Sequence, residues 1–171
     1  MHNIEIICIG SLKETYLREA CAEYLKRLTP YARVSVIEIK EGRLAKGASA
    51  AEEEIAKGAE GTAILSALNS QSSCARGGEA SGTYVIALDI CGRRFSSEGF
   101  ADWIGQVGTR GQSHLAFVIG GSTGLAPSIL ARADLRLSFS DMTFPHQLMR
   151  VILLEQIYRA FRIRRGEPYH K

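Results

Sequence analysis

Several features typical of secreted, metal-binding or membrane proteins are missing from this sequence. Its four cysteines are widely spaced and form no C-x-x-C pair, which disfavours a disulfide framework or a zinc site and favours reduced thiols. The four histidines also lack metal-ligand spacing, so no metal is expected. No apolar run approaches the ~20 residues of a membrane span, and the short run at residues 4–9 is soon followed by Lys13 and Glu14, unlike a signal peptide. The sequence therefore predicts a cytoplasmic protein without a membrane segment.

The usual nucleotide-binding and hydrolase motifs are also missing. There is no G-x-x-x-x-G-K-[ST] motif, and the Gly-Gly-Ser-Thr-Gly stretch at residues 120–124 does not match G-x-G-x-x-G, so the common dinucleotide and P-loop interpretations are weak. No G-x-S-x-G nucleophile elbow is present. The glycines at 120–124 could let a backbone approach a cofactor, or they could simply allow a tight turn.

The hydrophobic pattern is that of one α/β domain. The chain has 171 residues, of which 46% are apolar and 23% charged, an ordinary composition for a globular protein with a sizeable core. Strands separated by helices, with nearly continuous apolar strands, predict a parallel sheet covered by helices on both faces. The predicted strands are 4–9, 34–40, 84–89, 115–119 and 135–140; the predicted helices are 12–28, 50–68, one from 96, one from 127 and one with Pro145 in its first turn; 69–82 is predicted to be a flexible surface loop.

Ligands of parallel α/β sheets bind beyond the carboxyl ends of the strands, which draws attention to residues 88–90, 120–124 and 139–144. The last of these segments could equally be the plain connection of the final strand–helix unit. Asp89 could bind a ribose or an amine, or it could cap a turn. His146, in the first turn of the last helix, is either a functional histidine or an ordinary helix-start residue.

Positive charge is concentrated at the carboxyl-terminal end. Residues 131–171 contain eight Lys or Arg and four Asp or Glu, net +4, whereas the first 130 residues have a net charge of −1. Such a basic end can bind a phosphate backbone, or it can be a solvated helix end, where cations are favoured. The cluster consists of Arg159, Arg162, Arg164, Arg165 and Lys171.

Six segments carry motifs that together are highly specific. They are L-K-E-x-Y-L at 12–17, E-Y-L-K-R-L-x-P-Y at 23–31, V-I-A-L-D at 85–89, F-V-I-G-G-S-x-G-L at 117–125, L-S-F-S-x-M-T-F-P-H-Q-L-M-R-V-x-L-x-E-Q-x-Y-R-A-F at 137–161 and G-E-P-Y-H-K at 166–171. On these segments the whole chain resembles the large-subunit ribosomal RNA methyltransferase H family of the SPOUT superfamily. Members of that family methylate ring nitrogen 3 of a pseudouridine in helix 69 of 23S rRNA with S-adenosylmethionine.

The resemblance implies a fold and an assembly that spacing alone did not indicate. It implies one SPOUT domain over residues 1–171 with a trefoil knot in roughly 84–171, a departure from the rule that chains do not thread loops. It also implies a homodimer, with 23S rRNA in the large subunit or the 70S ribosome as partner. The residues implied to bind S-adenosylmethionine are Leu88, Gly120, Phe139, Ser140, Asp141, Met142, Thr143 and Phe144.

The resemblance also suggests candidate catalytic residues. Methylation of a ring nitrogen requires the removal of its proton, and His146 and His170 are candidates to accept or orient it. Arg150 and the basic cluster could hold phosphate or stabilise a developing ring anion. The tail Tyr169-His170-Lys171 is expected near the active site, where it could complete the pocket of the partner subunit.

Two departures from the family pattern leave alternatives open. Asp141 stands where relatives are expected to have lysine or a small residue, and residues 69–82 form a longer connection than usual. The 69–82 connection leaves the local geometry open, and Asp141 makes a non-catalytic RNA-binding or ribosome-binding protein of the same fold the alternative function. A different nucleotide-using α/β enzyme is disfavoured by the missing phosphate-loop motifs.

Overall fold

The structure is a computed structural model that describes residues 2–42, 45, 47–72 and 82–169. Five parallel strands form one sheet in the order β2-β1-β4-β3-β5. The elements are β1 (His2–Ile9), α1 (Thr15–Leu28), β2 (Ala32–Ile39), α2 (Ala50–Ser72), β3 (Tyr84–Arg94), α3 (Ser97–Thr109), β4 (His114–Ile119), α4 (Pro127–Arg132), β5 (Leu135–Ser138) and α5 (His146–Arg164).

Helices cover both faces of this sheet, as the alternation of strands and helices predicted. Successive side chains of a strand point to opposite faces. Thus Ile4 and Ile6 of β1 pack with α1, α3 and α5, whereas Ile7 and Ile9 pack against α2 and α4. Residues 6–9 of β1 and 115–119 of β4 are continuously apolar because both faces of these central strands are buried there.

Several element boundaries differ from the predicted ones. Helix α1 begins at Thr15 rather than at residue 12, because the preceding backbone is bound to α5: the Lys13 N–H donates to Gln147 Oε1 at 3.1 Å. Helix α2 continues to Ser72, so the first four residues of the predicted 69–82 loop are helical, and residues 73–81 lie outside the described part. Strand β5 stops at Ser138, whose hydroxyl donates to the carbonyl of Ser140, two residues later, at 3.1 Å.

Strand β3 runs five residues beyond its predicted end at Asp89. Its pairing with β5 shifts register between Leu88 and Arg93, which is a bulge. Gly92 lies in this bulge, where a Cβ atom would stand 2.6 Å from the Arg136 carbonyl carbon, so only glycine allows the two backbones to approach so closely. The bulge lets the end of β3 follow β5 towards the loop that precedes α5.

Candidate functional site

A cavity of about 930 Å³ opens at the carboxyl edge of the sheet, beyond β3, β4 and β5. All three segments that the strand-end rule indicated contribute to its wall. Its lining comprises Leu88, Asp89, Ile90, Ile119, Gly120, Gly121, Ser122, Thr123, Gly124, Leu125, Leu130, Leu137, Ser138, Phe139, Ser140, Met142, Thr143, Phe144, Pro145, His146 and Met149.

The glycine-rich loop after β4 closes tightly on itself. The Gly124 N–H donates to the Gly121 carbonyl at 3.1 Å, and Gly124 has a φ of +80°, which favours glycine. At Gly120 a Cβ atom would lie 2.8 Å from the Gly124 carbonyl carbon and 3.0 Å from its oxygen. Any side chain at position 120 would therefore force the loop open.

The loop between β5 and α5 forms the opposite wall. The Met142 N–H donates to Ser140 Oγ at 3.0 Å, which bends the backbone immediately after the strand. Met142 and Phe144 follow this bend with 73% and 37% of their surface exposed. The wall thus offers apolar surface, the hydroxyl groups of serine and threonine side chains, and backbone groups to a ligand.

Two aspartates on neighbouring segments have different orientations. Asp89 lines the cavity, and Arg136 of β5 binds its carboxylate, with Arg136 Nε 2.7 Å from Oδ2. Asp141 is exposed, forms an ion pair with Arg94 at the end of β3, and does not line the cavity. Seven of the eight residues that the family resemblance implied for the cofactor therefore line the cavity, and Asp141 is the exception.

His146 is the candidate catalytic residue that lines the cavity. It begins α5, and Pro145 precedes it at the N-cap position. His146 Nε2 lies 3.7 Å from the Cβ position of Gly10, and Glu41 Oε2 lies 3.6 Å from the same point. Gly10 has a φ of +79°, so this turn after β1 leaves the imidazole space that a side chain would occupy.

Arg150 lies one turn further along α5 and is buried, with 3% of its surface exposed. Its guanidinium donates to the Gly10 carbonyl at 3.0 Å and to Glu38 Oε1. It therefore ties α5 to the ends of β1 and β2, and it is not part of the cavity wall. In this placement the guanidinium donates to two protein acceptors.

The described part of the carboxyl-terminal tail packs far along α5. The Tyr169 hydroxyl donates to Glu155 Oε1 at 3.2 Å, and its ring meets that of Tyr158 edge-on at 5.0 Å. Burial, together with hydrogen bonding to Tyr24, raises the pKa of Tyr169 well above its usual value, so the phenol is a hydrogen-bond donor at neutral pH and not a base. Tyr169 does not line the cavity. His170 lies outside the described residues.

The cavity also includes residues that the sequence did not single out. Leu125, Leu130, Leu137 and Met149 supply apolar surface to its wall. In the sequence each of them is only part of a predicted strand, helix or connection. They could not be identified as cavity residues because an apolar pattern does not distinguish a core position from a cavity wall. Their proximity to the predicted segments was the one available signal.

The described ranges, residues 2–42, 45, 47–72 and 82–169, contain neither a metal-binding cluster nor a membrane-spanning helix. No group of three or more His, Cys, Asp or Glu side chains in those ranges is placed to hold a metal ion. None of the helices described there has both the length and the apolar character needed to cross a membrane.

Comparison with known proteins gives a consistent result. The family model described as "Predicted SPOUT methyltransferase" matches residues 2–170. The chain is 52% identical over 168 residues to the ribosomal RNA large subunit methyltransferase H of Carboxydothermus hydrogenoformans, covering 98% of this chain and 99% of that protein. It is 50% identical over 169 residues to the protein of the same name from Clostridium acetobutylicum, covering 99% of each.

Among solved structures, the fold is similar to that of the A. aeolicus TrmH/SpoU tRNA modifying enzyme. The TM-score is 0.50 at 14% identity, and the match covers 97% of this chain and 78% of the other. At that identity the similarity concerns the fold alone.

Proposed function

The chain belongs to the SPOUT methyltransferase family, and from that membership we propose that it methylates nitrogen 3 of a pseudouridine in helix 69 of 23S rRNA with S-adenosylmethionine. The observation that carries the proposal is the cavity beyond β3, β4 and β5, which seven of the eight expected cofactor residues line. Large-subunit rRNA as the substrate class is supported by the names of relatives that match along nearly the whole chain. The proposed target atom, nitrogen 3 of the pseudouridine, rests on the family resemblance.

The cavity has the size and chemistry to hold the cofactor. Its volume of about 930 Å³ lies in the usual range for small-molecule sites. Leu88, Leu137 and Met149 offer apolar surface to a purine, and the bends at 120–124 and 139–144 present backbone groups. Asp89 supplies one negative charge for a cationic ligand. When bound, S-adenosylmethionine supplies an electrophilic methyl group on a sulfonium.

We propose that His146 accepts or orients the proton of the target nitrogen. It lines the cavity in which the methyl group would be presented, and a neutral imidazole can accept or orient a proton. Arg150 acts as a positioning residue in this scheme, because it joins Gly10 to α5 one turn after His146.

A homodimer would explain the apolar surface that remains on α5. Leu148 is 39% exposed, and Val151 and Ile152 are only half-buried. Tyr16 of α1 is 65% exposed. Apolar surface on neighbouring elements is typical of an interface between subunits. We further propose, from the resemblance, that residues 84–171 contain the trefoil knot, that 1–171 form one domain and that the enzyme acts in the cytoplasm.

The placement of Tyr169 supports a tail that serves the partner subunit. Its contact residue Glu155 lies nine positions after His146, which is about 14 Å along a helix axis. The Tyr31 hydroxyl and Arg162 both bind Glu167, and so hold the tail against the connection between α1 and β2 and against α5. In this position Tyr169 does not line the cavity of its own subunit. We therefore propose that Tyr169 and His170 complete the cavity of the partner subunit.

Mixed dimers test this arrangement. One variant carries Gly120→Arg, which blocks the cavity, and the other carries Tyr169→Ala with His170→Ala. Each homodimer is expected to be inactive. Random mixing after co-expression should make half of the dimers heterodimers. In each heterodimer one of the two sites combines an intact cavity with an intact tail from the partner, so about a quarter of wild-type turnover should return. Methylation of ribosomes is the readout, and no recovery in verified heterodimers would contradict a tail acting between subunits.

Ribosomal RNA would be held mainly by shape and phosphate contacts. The basic cluster at the end of α5 is the candidate surface, and its charges are partly engaged: Arg159 with Glu155, and Arg162 with Glu167. Arg165 is more exposed, at 52%, and lies 4.3 Å above the Tyr31 ring and 3.9 Å from Glu167. The enzyme would then recognise the shape of the rRNA as it is held in an assembled particle, which is either the large subunit or the 70S ribosome.

A methylation assay on isolated particles tests the function itself. We expect methyl transfer to 23S rRNA in 70S ribosomes or large subunits, located in helix 69 by mass spectrometry of nuclease fragments. Ribosomes that carry uridine instead of pseudouridine at the target should be poor substrates. Binding to ribosomes without any methyl transfer would favour the non-catalytic alternative. Asp141 is the residue that motivates that alternative, and its carboxylate faces Arg94 rather than the cavity.

A further inference from the structure

The charges that face the cavity are few. Among the described residues of its lining, Asp89 is the single carboxylate and His146 is the single basic side chain; the other lining residues are apolar, hydroxyl-bearing or glycine. Among the side chains of the wall itself, Asp89 is therefore the main source of an electrostatic difference between ligands; Glu41 lies behind the wall, where Ser122 Oγ donates to it at 3.5 Å. Charges act over longer distances where apolar walls exclude water.

The Asp89 carboxylate is fixed in place but only partly satisfied. Arg136 binds one oxygen, Oδ2, through Nε at 2.7 Å and through its NH2 group. The other oxygen, Oδ1, accepts one long hydrogen bond, 3.4 Å from the Cys91 N–H. A carboxylate oxygen has two acceptor sites, so Oδ1 retains capacity for a ligand. The side chain of Asp89 is 16% exposed and that of Arg136 45%, so the acid is the better shielded partner.

The tertiary structure creates this arrangement. Asp89 precedes the bulge of β3, and Gly92 in the bulge brings the backbones of β3 and β5 together at Arg136. The Arg136 side chain can then reach Asp89 across the two strands. The carboxylate is thereby held at the edge of the sheet that forms the cavity wall.

We propose that Asp89 is the charge-selecting residue of the cofactor site: it favours the sulfonium cofactor over its neutral thioether product. This inference rests on the proposed function. In the transfer, the target nitrogen would give its proton to His146 and form a bond to the methyl carbon. The carbon–sulfur bond would break with its electron pair left on sulfur, which would become neutral. A carboxylate in the cavity stabilises the positive sulfur and loses that interaction after transfer, so it promotes release of the product.

The test compares affinities for three ligands by calorimetric titration. They are S-adenosylmethionine, the neutral product S-adenosylhomocysteine, and sinefungin, in which a protonated amine replaces the sulfonium. All three share the ribose and the amino-acid ammonium. Asp89→Asn should reduce the preference for S-adenosylmethionine over S-adenosylhomocysteine by about tenfold, and sinefungin should behave like S-adenosylmethionine. An equal loss for all three ligands would overturn charge selection and indicate a contact with a shared group.

Two further variants separate charge from structure. Arg136→Gln removes the cation that partly neutralises Asp89, so the preference should stay at or above the wild-type value. If Arg136→Gln lowered the preference as Asp89→Asn does, the pair would be merely structural and the proposal would fail. Asp134→Asn is the matched control, because Asp134 pairs with Arg132 and lies outside the cavity lining; it should leave the preference unchanged. Wild-type protein that bound none of the three ligands would instead count against the proposed function.

Discussion

Gly120→Arg is expected to abolish binding of S-adenosylmethionine, lowering the affinity by at least about a hundredfold, or roughly 3 kcal/mol. A Cβ atom at position 120 meets the Gly124 carbonyl carbon at 2.8 Å. Because that neighbour is backbone in a tight turn, it cannot rotate away as a side chain could. The long arginine side chain would also project from the cavity wall. Calorimetric titration of the purified protein measures the effect directly.

Gly58→Arg is the matched control for that experiment. Gly58 lies in α2, and no heavy atom stands within 4 Å of its Cβ position. The same change in charge and size at this exposed site should leave the affinity for S-adenosylmethionine within about twofold of wild type. Thermal unfolding of both variants separates loss of the site from loss of the fold. A folded Gly120→Arg variant with near-normal affinity would remove the 120–124 loop from the cofactor site.

His146→Ala should lower methylation of ribosomes by about 10²–10⁴-fold, the usual contribution of a positioned proton acceptor, with a much smaller effect on cofactor affinity. His146 lines the cavity at the start of α5 beside the Gly10 turn. Truncation removes the imidazole but leaves the loop bends at 120–124 and 139–144 in place. Single-turnover methylation and calorimetric titration measure the two effects separately.

His146→Gln distinguishes proton transfer from simple space filling. Glutamine retains a polar group of similar reach but cannot accept a proton near neutral pH. If His146 takes part in the chemistry, this variant should be nearly as slow as His146→Ala. Turnover close to wild type in both variants would exclude the residue from the mechanism, and His170 would then be the next candidate.

Much of the architecture was accessible from the sequence because it depends on local patterns. The apolar runs of β1 and β4 are long enough to mark strands buried on both faces, and the α/β alternation then implies a parallel sheet. In such a sheet the ligand edge follows from strand direction alone. The predicted start of α1 and the predicted end of β3 were wrong because contacts between distant residues determine these boundaries. The Lys13 N–H binds Gln147 of α5, and β3 continues past Asp89 through the bulge at Gly92.

What the sequence determined by itself is the family, the fold class and the three segments around the cavity, since motifs and periodicity are local properties of the chain. Only the tertiary structure decided which side chains face that cavity. The bulge of β3 lets Arg94 pair with Asp141 and Arg136 with Asp89, and only Asp89 lines the cavity wall. Likewise, burial of Arg150 against β1 and β2 was not evident from its position in a helix. The direction of a side chain depends on strand register and on contacts between distant residues, and neither can be read from spacing along one segment.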